Sequence, residues 1–476
     1  MVPVCFLEAG KNPELSCDRH VGVALKMIRP SRLAGWFPAF STALRSSMTA
    51  LLQHQPYASE HHSHKTQQDH TPKSLWLGHA TRPVTFIDRP CGTGKTTALI
   101  KSLQPDRKYL IVVPLLDEAD RIIKGAAQRG VTLYAPETNG RTKSQHLLDL
   151  TFDDQSIVCT HKLFLEADMS FAGYEVHIDE AVDVVSPMNK LSWRDLKAFV
   201  LDRGLATVDA QGFVRPEEAW FDEPLTDALG KTRNLAANGV LVLTKANQFL
   251  KVLPRRLFEV SKSCTVHTYM AETTMLVAYM RKLGLDSTIH KDQAGDAAFR
   301  QSISKRLTIK KLDSKIETLS FSYSAQDKHN KQKQERVALS LRNLRSRELV
   351  GVEPSSIMVS CKKTNWEDGK GPYAKGSTLA KEPHWLEAKK KATNDYRHCT
   401  HLVYLNDLHL PPSIKLWLGL DDTQQDEWAK GTLVQWVFRS ALREPEGPKV
   451  TFYSPSKRMR DLLNQYCSEK ALQQGK

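Results

Sequence analysis

No apolar run in the 476 residues approaches the ~20 that a membrane-spanning helix requires. That absence excludes an integral-membrane reading, and the expected location is the cytoplasm. The eight cysteines (5, 17, 91, 159, 264, 361, 399 and 467) are scattered, and no two form a C-x-x-C pair. Spacing of that kind argues against a disulfide frame and against a zinc site, and predicts free thiols in a reducing compartment. The N-terminus lacks the charged, apolar, cleavable layout of a secretory signal. Acidic residues are in the minority: 53 Asp and Glu stand against 67 Lys and Arg, a formal net charge of +14. Such an excess favours an anionic partner, with nucleic acid the first candidate. Hydrophobic residues make up 41% of the chain. That content sustains real cores, and the length fits two or three domains.

What is present centres on one stretch. Val84 to Ile87 is a short β-branched and aromatic run, the pattern of a buried strand. Gly92-Thr93-Gly94-Lys95-Thr96-Thr97 follows, and from Thr97 to Leu103 the sequence is compatible with a helix. Strand, glycine-rich turn, Lys-Thr and helix is the order of a phosphate-binding P-loop. Glycines allow backbone amides to converge on phosphate oxygens at a helix N-terminus. Lys95 is expected to reach the β/γ-phosphates and the Thr96 hydroxyl to ligate Mg²⁺, so ATP and Mg²⁺ are the implied cofactors. Arg89 stands where this pattern usually has its first glycine.

A second strong motif lies downstream. The apolar-rich strand beginning at Tyr174 ends in Asp179-Glu180-Ala181-Val182. Asp179 is the candidate carboxylate for Mg²⁺, and Glu180 the candidate for polarising the attacking water. Between the two motifs, Tyr109 to Pro114 reads as a buried parallel strand, and Leu115 to Gly125 as a helix. Ser156 to Lys162 reads as another strand, ending in Thr160, His161 and Lys162.

The remaining chain is read more coarsely. Residues 1–80 are irregular, with one helix predicted over Ser41–Gln53. His61 to His64 and His70 fit a polar linker better than a metal site. An insertion over 187–262 carries a predicted helix, Leu191–Leu201, and a hairpin, Leu205–Val214. Cys264 to Ala271 reads as a strand followed by a helix to Leu283, and Thr318 to Tyr323 alternates like a strand. Between Ala325 and Arg347 lie seven basic residues against two acids, with Val337, Leu341 and Leu344 on one helical face. Lys362, Lys370 and Lys375, interleaved with Trp366 and Tyr373, suit a single strand through phosphate contacts and base stacking. Gly431 to Arg443 reads as a helix with Gln435, Arg439 and Arg443 on one face.

In order, these segments resemble a DEAD-like superfamily 2 helicase, with the closest likeness to helicase-like proteins of phages and mobile elements. The motifs that carry the resemblance are the P-loop, the strand ending in Val113-Pro114, the Asp179-Glu180 box, the Thr268 to Thr274 segment, Ala392 to Arg397, and Gln435 to Arg443. Helicases of superfamilies 1 and 2 often relax the first P-loop glycine. The resemblance implies an α/β chain with two RecA-like parallel-sheet domains, a small insertion and an irregular N-terminal extension. The expected limits are 1–80 for the extension, 81–290 for the first domain and 291–476 for the second. It implies nucleic-acid contacts at Pro114, Thr160, His161, Thr393 and Asn394, beside the basic candidates Lys362, Lys370 and Lys375. It also implies catalytic roles for Glu180, Gln435, Arg439 and Arg443, with Arg439 the better match to the family's arginine finger. DNA is favoured over RNA as partner, with replication or recombination proteins as further candidates. The competing readings are a phage DNA-packaging motor and a nucleic-acid-binding protein with a vestigial ATP site. Sparse acids after residue 320 oppose the first, and intact Lys95, Thr96, Asp179 and Glu180 oppose the second.

Overall fold

The computed structural model describes residues 83–468, apart from 168, 189–191, 224–226, 260, 376, 378, 380–383, 391–392, 394 and 445. The helix predicted over Ser41–Gln53, the histidines of 61–70 and Asn394 lie outside these residues. No helix among the described residues is long and apolar enough to cross a membrane.

The chain is α/β, with two parallel sheets. It opens with β1 (Val84–Asp88), β2 (Tyr109–Val113), β3 (Ile157–Thr160) and β4 (Glu175–Asp179). An insertion follows, with β5 (Val185–Pro187), β6 (Ala206–Val208), β7 (Val214–Pro216), β8 (Leu241–Leu243) and β9 (Phe249–Val252). The chain then returns through β10 (Ser263–Thr268) and β11 (Ser287–Lys291). The first sheet has the order β11-β1-β10-β4-β2-β3, parallel throughout. All five residues of β2 are buried, as a parallel strand covered on both faces requires.

After the helix Gln293–Arg306 comes the second sheet: β12 (Leu307–Lys311), β13 (Ile357–Ser360), β14 (His384–Trp385), β15 (His401–Tyr404) and β16 (Val450–Ser454). Its order is β12-β16-β15-β13-β14, again parallel. Tyr404 packs on Trp436 at 4.8 Å and on Phe452 at 5.8 Å between ring centroids. Such pairs contribute about 0.5–1.5 kcal/mol each beyond area burial. One apolar cluster runs from Val266 and Tyr269 of the first lobe to Leu433, Phe438 and Tyr466 of the second. A polar chain crosses within it: the buried Tyr269 hydroxyl contacts Asp296 Oδ1 at 2.5 Å and the Tyr466 hydroxyl at 2.8 Å.

The insertion has its own core of Leu196, Val200, Trp220, Leu241 and Phe249. Its three-stranded sheet is β5-β9-β8, and β6 and β7 form the hairpin. The insertion also reaches the second lobe. Trp417 Nε1 donates to Gln211 O at 3.0 Å, and its ring meets Phe213 edge-on at 6.1 Å.

Three expectations need correction. Residues 318–323 do not form a strand; Ser322 instead caps a short helix, Tyr323–Asp327, by accepting from Ala325 N. The helix predicted over 431–443 runs from Asp422 to Val437. Asp421 and Gln424 form a capping box at its start, and it stops before Arg439. Ser440 then caps a separate 3-10 turn, Ala441–Arg443, so Gln435, Arg439 and Arg443 do not share one helical face. Finally, Trp366 and Tyr373 are 2% and 0% exposed, which rules them out as surface stacking platforms. Tyr373 instead places its hydroxyl 2.7 Å from His329 Nδ1.

Candidate active site between the two lobes

β1 leads into the candidate phosphate-binding loop. Its last residue, Asp88, is buried and accepts from the amides of Met270 at 2.8 Å and Ala271 at 3.0 Å. Burial raises its pKa, and those two amides oppose the shift. The loop then turns through Gly92 (φ 82°) and Gly94 (φ 76°), left-handed conformations that favour glycine. Arg89 has no positive φ, so glycine is not required at that position. Its backbone serves the loop: the Arg89 amide donates to Thr268 O at 3.1 Å, and Lys95 Nζ donates to Arg89 O at 3.0 Å and to Pro90 O at 3.1 Å. The Thr93 hydroxyl donates to Pro90 O at 2.8 Å. Gly94 is the N-cap of the helix Lys95–Ser102, which carries Thr96 and Thr97.

β4 brings in the carboxylates. Thr96 Oγ1 donates to Asp179 Oδ2 at 3.0 Å. Burial, then the neighbouring Glu180, pushes the Asp179 carboxyl up to about 6, against the Thr96 hydrogen bond. Glu180 has a φ of 62°, and its amide donates to His267 O at 2.9 Å. Its Oε1 accepts from Arg439 Nη2 at 2.9 Å. Burial pulls the Arg439 pKa down, but the Glu180 charge outweighs it and holds the guanidinium protonated.

A cavity of about 290 Å³ results, lined by Gly92, Gly94, Lys95, Thr96, Thr97, Asp179 and Glu180 from the first lobe and by Arg439 and Arg443 from the second. Glu118, Arg121, Arg397 and Glu444 also line it. The sequence reading named none of these four, nor Cys91 beside them, as a site residue, although Arg397 closes one of the segments that carry the resemblance. Gln435 does not line this cavity. Its Nε2 donates to Tyr269 O at 3.1 Å, on the turn that Asp88 holds. Beside that contact, Gly431 lies against Thr273; a Cβ built on Gly431 would sit 2.0 Å from Thr273 Oγ1.

The other candidates scatter. Thr160 caps the helix His161–Glu166 by accepting from Leu163 N, and His161 Nε2 lies 2.8 Å from Asp179 O, so the imidazole turns toward β4. Pro114 is half-buried at the end of β2. Lys362 pairs with Asp327 and lies over the Tyr323 ring. Thr393 is buried, and its hydroxyl donates to Asp395 at 2.8 Å. Lys370 and Lys375 are exposed. A second cavity of about 260 Å³ lies between the Thr273–Met275 segment and the helix carrying Gln424 and Trp428. Lys389 Nζ stands 5.1 Å above the Trp428 ring.

Residues 301–467 match the YonV C-terminal Rossmann-like domain. The likeness extends to a phage protein. Over 408 residues the chain is 25% identical to the SPbeta prophage-derived uncharacterized protein YonV of Bacillus subtilis (strain 168), covering 80% of this chain and 97% of that one. Among solved structures, an XPD helicase matches at 13% identity and a TM-score of 0.44, over 81% of this chain and 94% of the other. S. cerevisiae Dbp5 bound to RNA and ADP BeF3 matches at 12% identity and a TM-score of 0.36, over 82% of this chain and 83% of the other.

Proposed function

We propose that the chain is an ATP-dependent helicase or translocase that hydrolyses ATP between its two lobes and acts on nucleic acid, DNA in preference to RNA. One observation carries this reading: Lys95, Thr96, Asp179 and Glu180 of one lobe and Arg439 and Arg443 of the other line a single cavity. The proposed lobes are residues 81–290 and 291–476.

The donor set suits Mg²⁺. A Thr96 hydroxyl and an Asp179 carboxylate oxygen 3.0 Å apart are hard oxygen ligands of the kind it takes beside phosphate oxygens. When bound, Mg²⁺ supplies charge that neutralises the β/γ-phosphate oxygens. Loop amides and Lys95 hold the phosphates, with Lys95 exchanging its two carbonyl partners for phosphate oxygens. Glu180 orients the attacking water and takes up its proton. Arg439 and Arg443 approach the γ-phosphoryl group from the second lobe. Gln435 positions rather than reacts, since it holds the backbone at Tyr269. Through Gln435 and the Gly431–Thr273 contact, lobe closure and the P-loop are linked.

The test is hydrolysis of ATP by the purified full chain, with Mg²⁺, in the presence and absence of single-stranded DNA and RNA. Mg²⁺-dependent hydrolysis stimulated several-fold by a strand is expected, with Lys95→Ala at background. Wild-type hydrolysis by Lys95→Ala would overturn the site assignment, and turnover indifferent to both strands would overturn the nucleic-acid role.

A further inference from the structure

We propose that His384, His398 and Cys399, in the second lobe, bind one borderline divalent transition-metal ion, Zn²⁺ foremost. Their ligand atoms all lie within 4.8 Å of one another. The two Nε2 atoms are 3.1 Å apart, with ring planes at 79°. The two imidazoles meet at near right angles through their Nε2 atoms, within hydrogen-bond distance of each other, and are not stacked. Zn–N bonds of about 2.0–2.1 Å in a tetrahedral site set ligand nitrogens roughly 3.3 Å apart. The observed spacing is therefore close to that of a coordinated pair.

The third ligand lies beneath them. Cys399 is buried, with Sγ 3.6 Å from Ser355 O. Two nitrogens and one sulfur select zinc-class ions over Mg²⁺ or Ca²⁺, which take oxygen, and three protein ligands leave a fourth position for water. On binding, the Cys399 thiol releases its proton to solvent and the thiolate bonds to the metal.

The site is separate from the nucleotide cavity but joined to it by the chain. His384 begins the edge strand β14, and Cys399 stands just before β15. Arg397 lies between Tyr396 and His398, pairs with Glu444 at 3.3 Å and lines the cavity. Cys399 O accepts from Ala441 N at 3.0 Å, in the turn that carries Arg443. Metal there pins the edge strand to the segment that presents Arg397. Cysteine spacing argued against a zinc site because it tracks Cys alone. Here two ligands are histidines, and His384 comes from a separate strand.

The experiment is Co²⁺ titration of the tag-free full chain, followed by absorption, then displacement by Zn²⁺. Wild type is expected to take up one equivalent with tetrahedral d–d bands and thiolate-to-cobalt charge transfer. His398→Ala, at an exposed side chain, should weaken Co²⁺ by at least about 10-fold, the loss that even an outer partner of a ligand can cause, with circular dichroism checking its fold. Cys399→Ser should abolish the charge-transfer band, with circular dichroism checking its fold. Absence of tetrahedral bands in wild type, or an unchanged titration in His398→Ala, overturns the proposal.

Discussion

Arg439 Nη2 lies 2.9 Å from Glu180 Oε1, an ion pair that joins the two lobes across the cavity with the arginine side chain 4% exposed. Removing one partner of a buried pair typically costs about 3–5 kcal/mol, because the other charge is left uncompensated. The pair also sets two roles against each other. A carboxylate held by a guanidinium is a weaker base, and a guanidinium held by a carboxylate is a weaker anchor for phosphate. Turnover on the proposed mechanism therefore requires the two to part.

Arg439→Ala and Arg443→Ala should each retain ATP binding and lose strand-stimulated turnover, by a factor on the order of 10³ or more if either acts as an arginine finger. Arg439→Ala should in addition lower thermal stability, because Glu180 loses its partner. Single-turnover kinetics beside a melting curve separates the two effects. Stimulated rates within threefold of wild type in both variants would leave these arginines a structural role alone.

Glu180→Gln should bind ATP and fail to hydrolyse it. The amide keeps the size of the side chain and an oxygen for Arg439, but it is no proton acceptor. Binding of a fluorescent ATP analogue together with phosphate release decides this. Normal release by the variant would show that the carboxylate is not the base.

Gly431→Ala should destabilise the chain, although Gly→Ala inside a helix usually gains about 1 kcal/mol. The added Cβ would sit 2.0 Å from Thr273 Oγ1. Overpacking of this kind typically costs about 1–3 kcal/mol. Adding Thr273→Ala removes the clashing oxygen and should restore part of the stability. Denaturant midpoints of the two variants check the argument, and a stabilised single variant would contradict it.

Stability should fall as the pH drops from about 7.5 to 5. Burial lowers His177 from its usual 6.5 to about 4, and burial with His177 beside it lowers His267 to about 3. Between those values and 6.5 the unfolded chain binds protons that the folded chain refuses, so stability rises with pH across that window. At pH 5 each ring contributes roughly 2 kcal/mol of destabilisation, at 1.36 kcal/mol per unit. Melting temperatures at the two pH values should show a smaller difference in His267→Gln than in wild type. Equal differences would acquit the pair.

Lys370 and Lys375 are exposed, whereas Trp366 and Tyr373, the stacking candidates of the same stretch, are buried. Replacing both lysines with Ala should flatten the log–log salt dependence of single-strand binding by roughly 0.7 for each phosphate no longer neutralised. An unchanged slope would remove the loop from the interface.

The strand, glycine turn and helix over 84–102 and the strand that ends in Asp179, which meet at one cavity, were legible because their signals are local: glycines in a short turn, a Lys-Thr pair, and acids closing an apolar strand. Arg439 and Arg443 were legible by type but not by geometry. The helical spacing continues through them, while Ser440 offers the backbone a competing cap that ends it. Trp366 misled for a related reason. An aromatic among lysines looks exposed, yet the turn closes back on itself, with Gly371 N donating to Trp366 O at 2.8 Å. Contacts such as Gly431 with Thr273, or His384 with Cys399, exist only once distant segments are folded together, and no window along the chain contains both partners.

The hairpin of the insertion has a consequence for movement. It grows out of the first lobe, yet Gln211 and Phe213 hold Trp417, 206 positions away from Gln211 in the chain, on a helix of the second. If the lobes swing apart, either this hook lets go or the insertion travels with the far side. A linkage of that kind adds to the resistance against opening: separation of the lobes must break the indole hydrogen bond and part the Trp417 ring from Phe213 and from Tyr279.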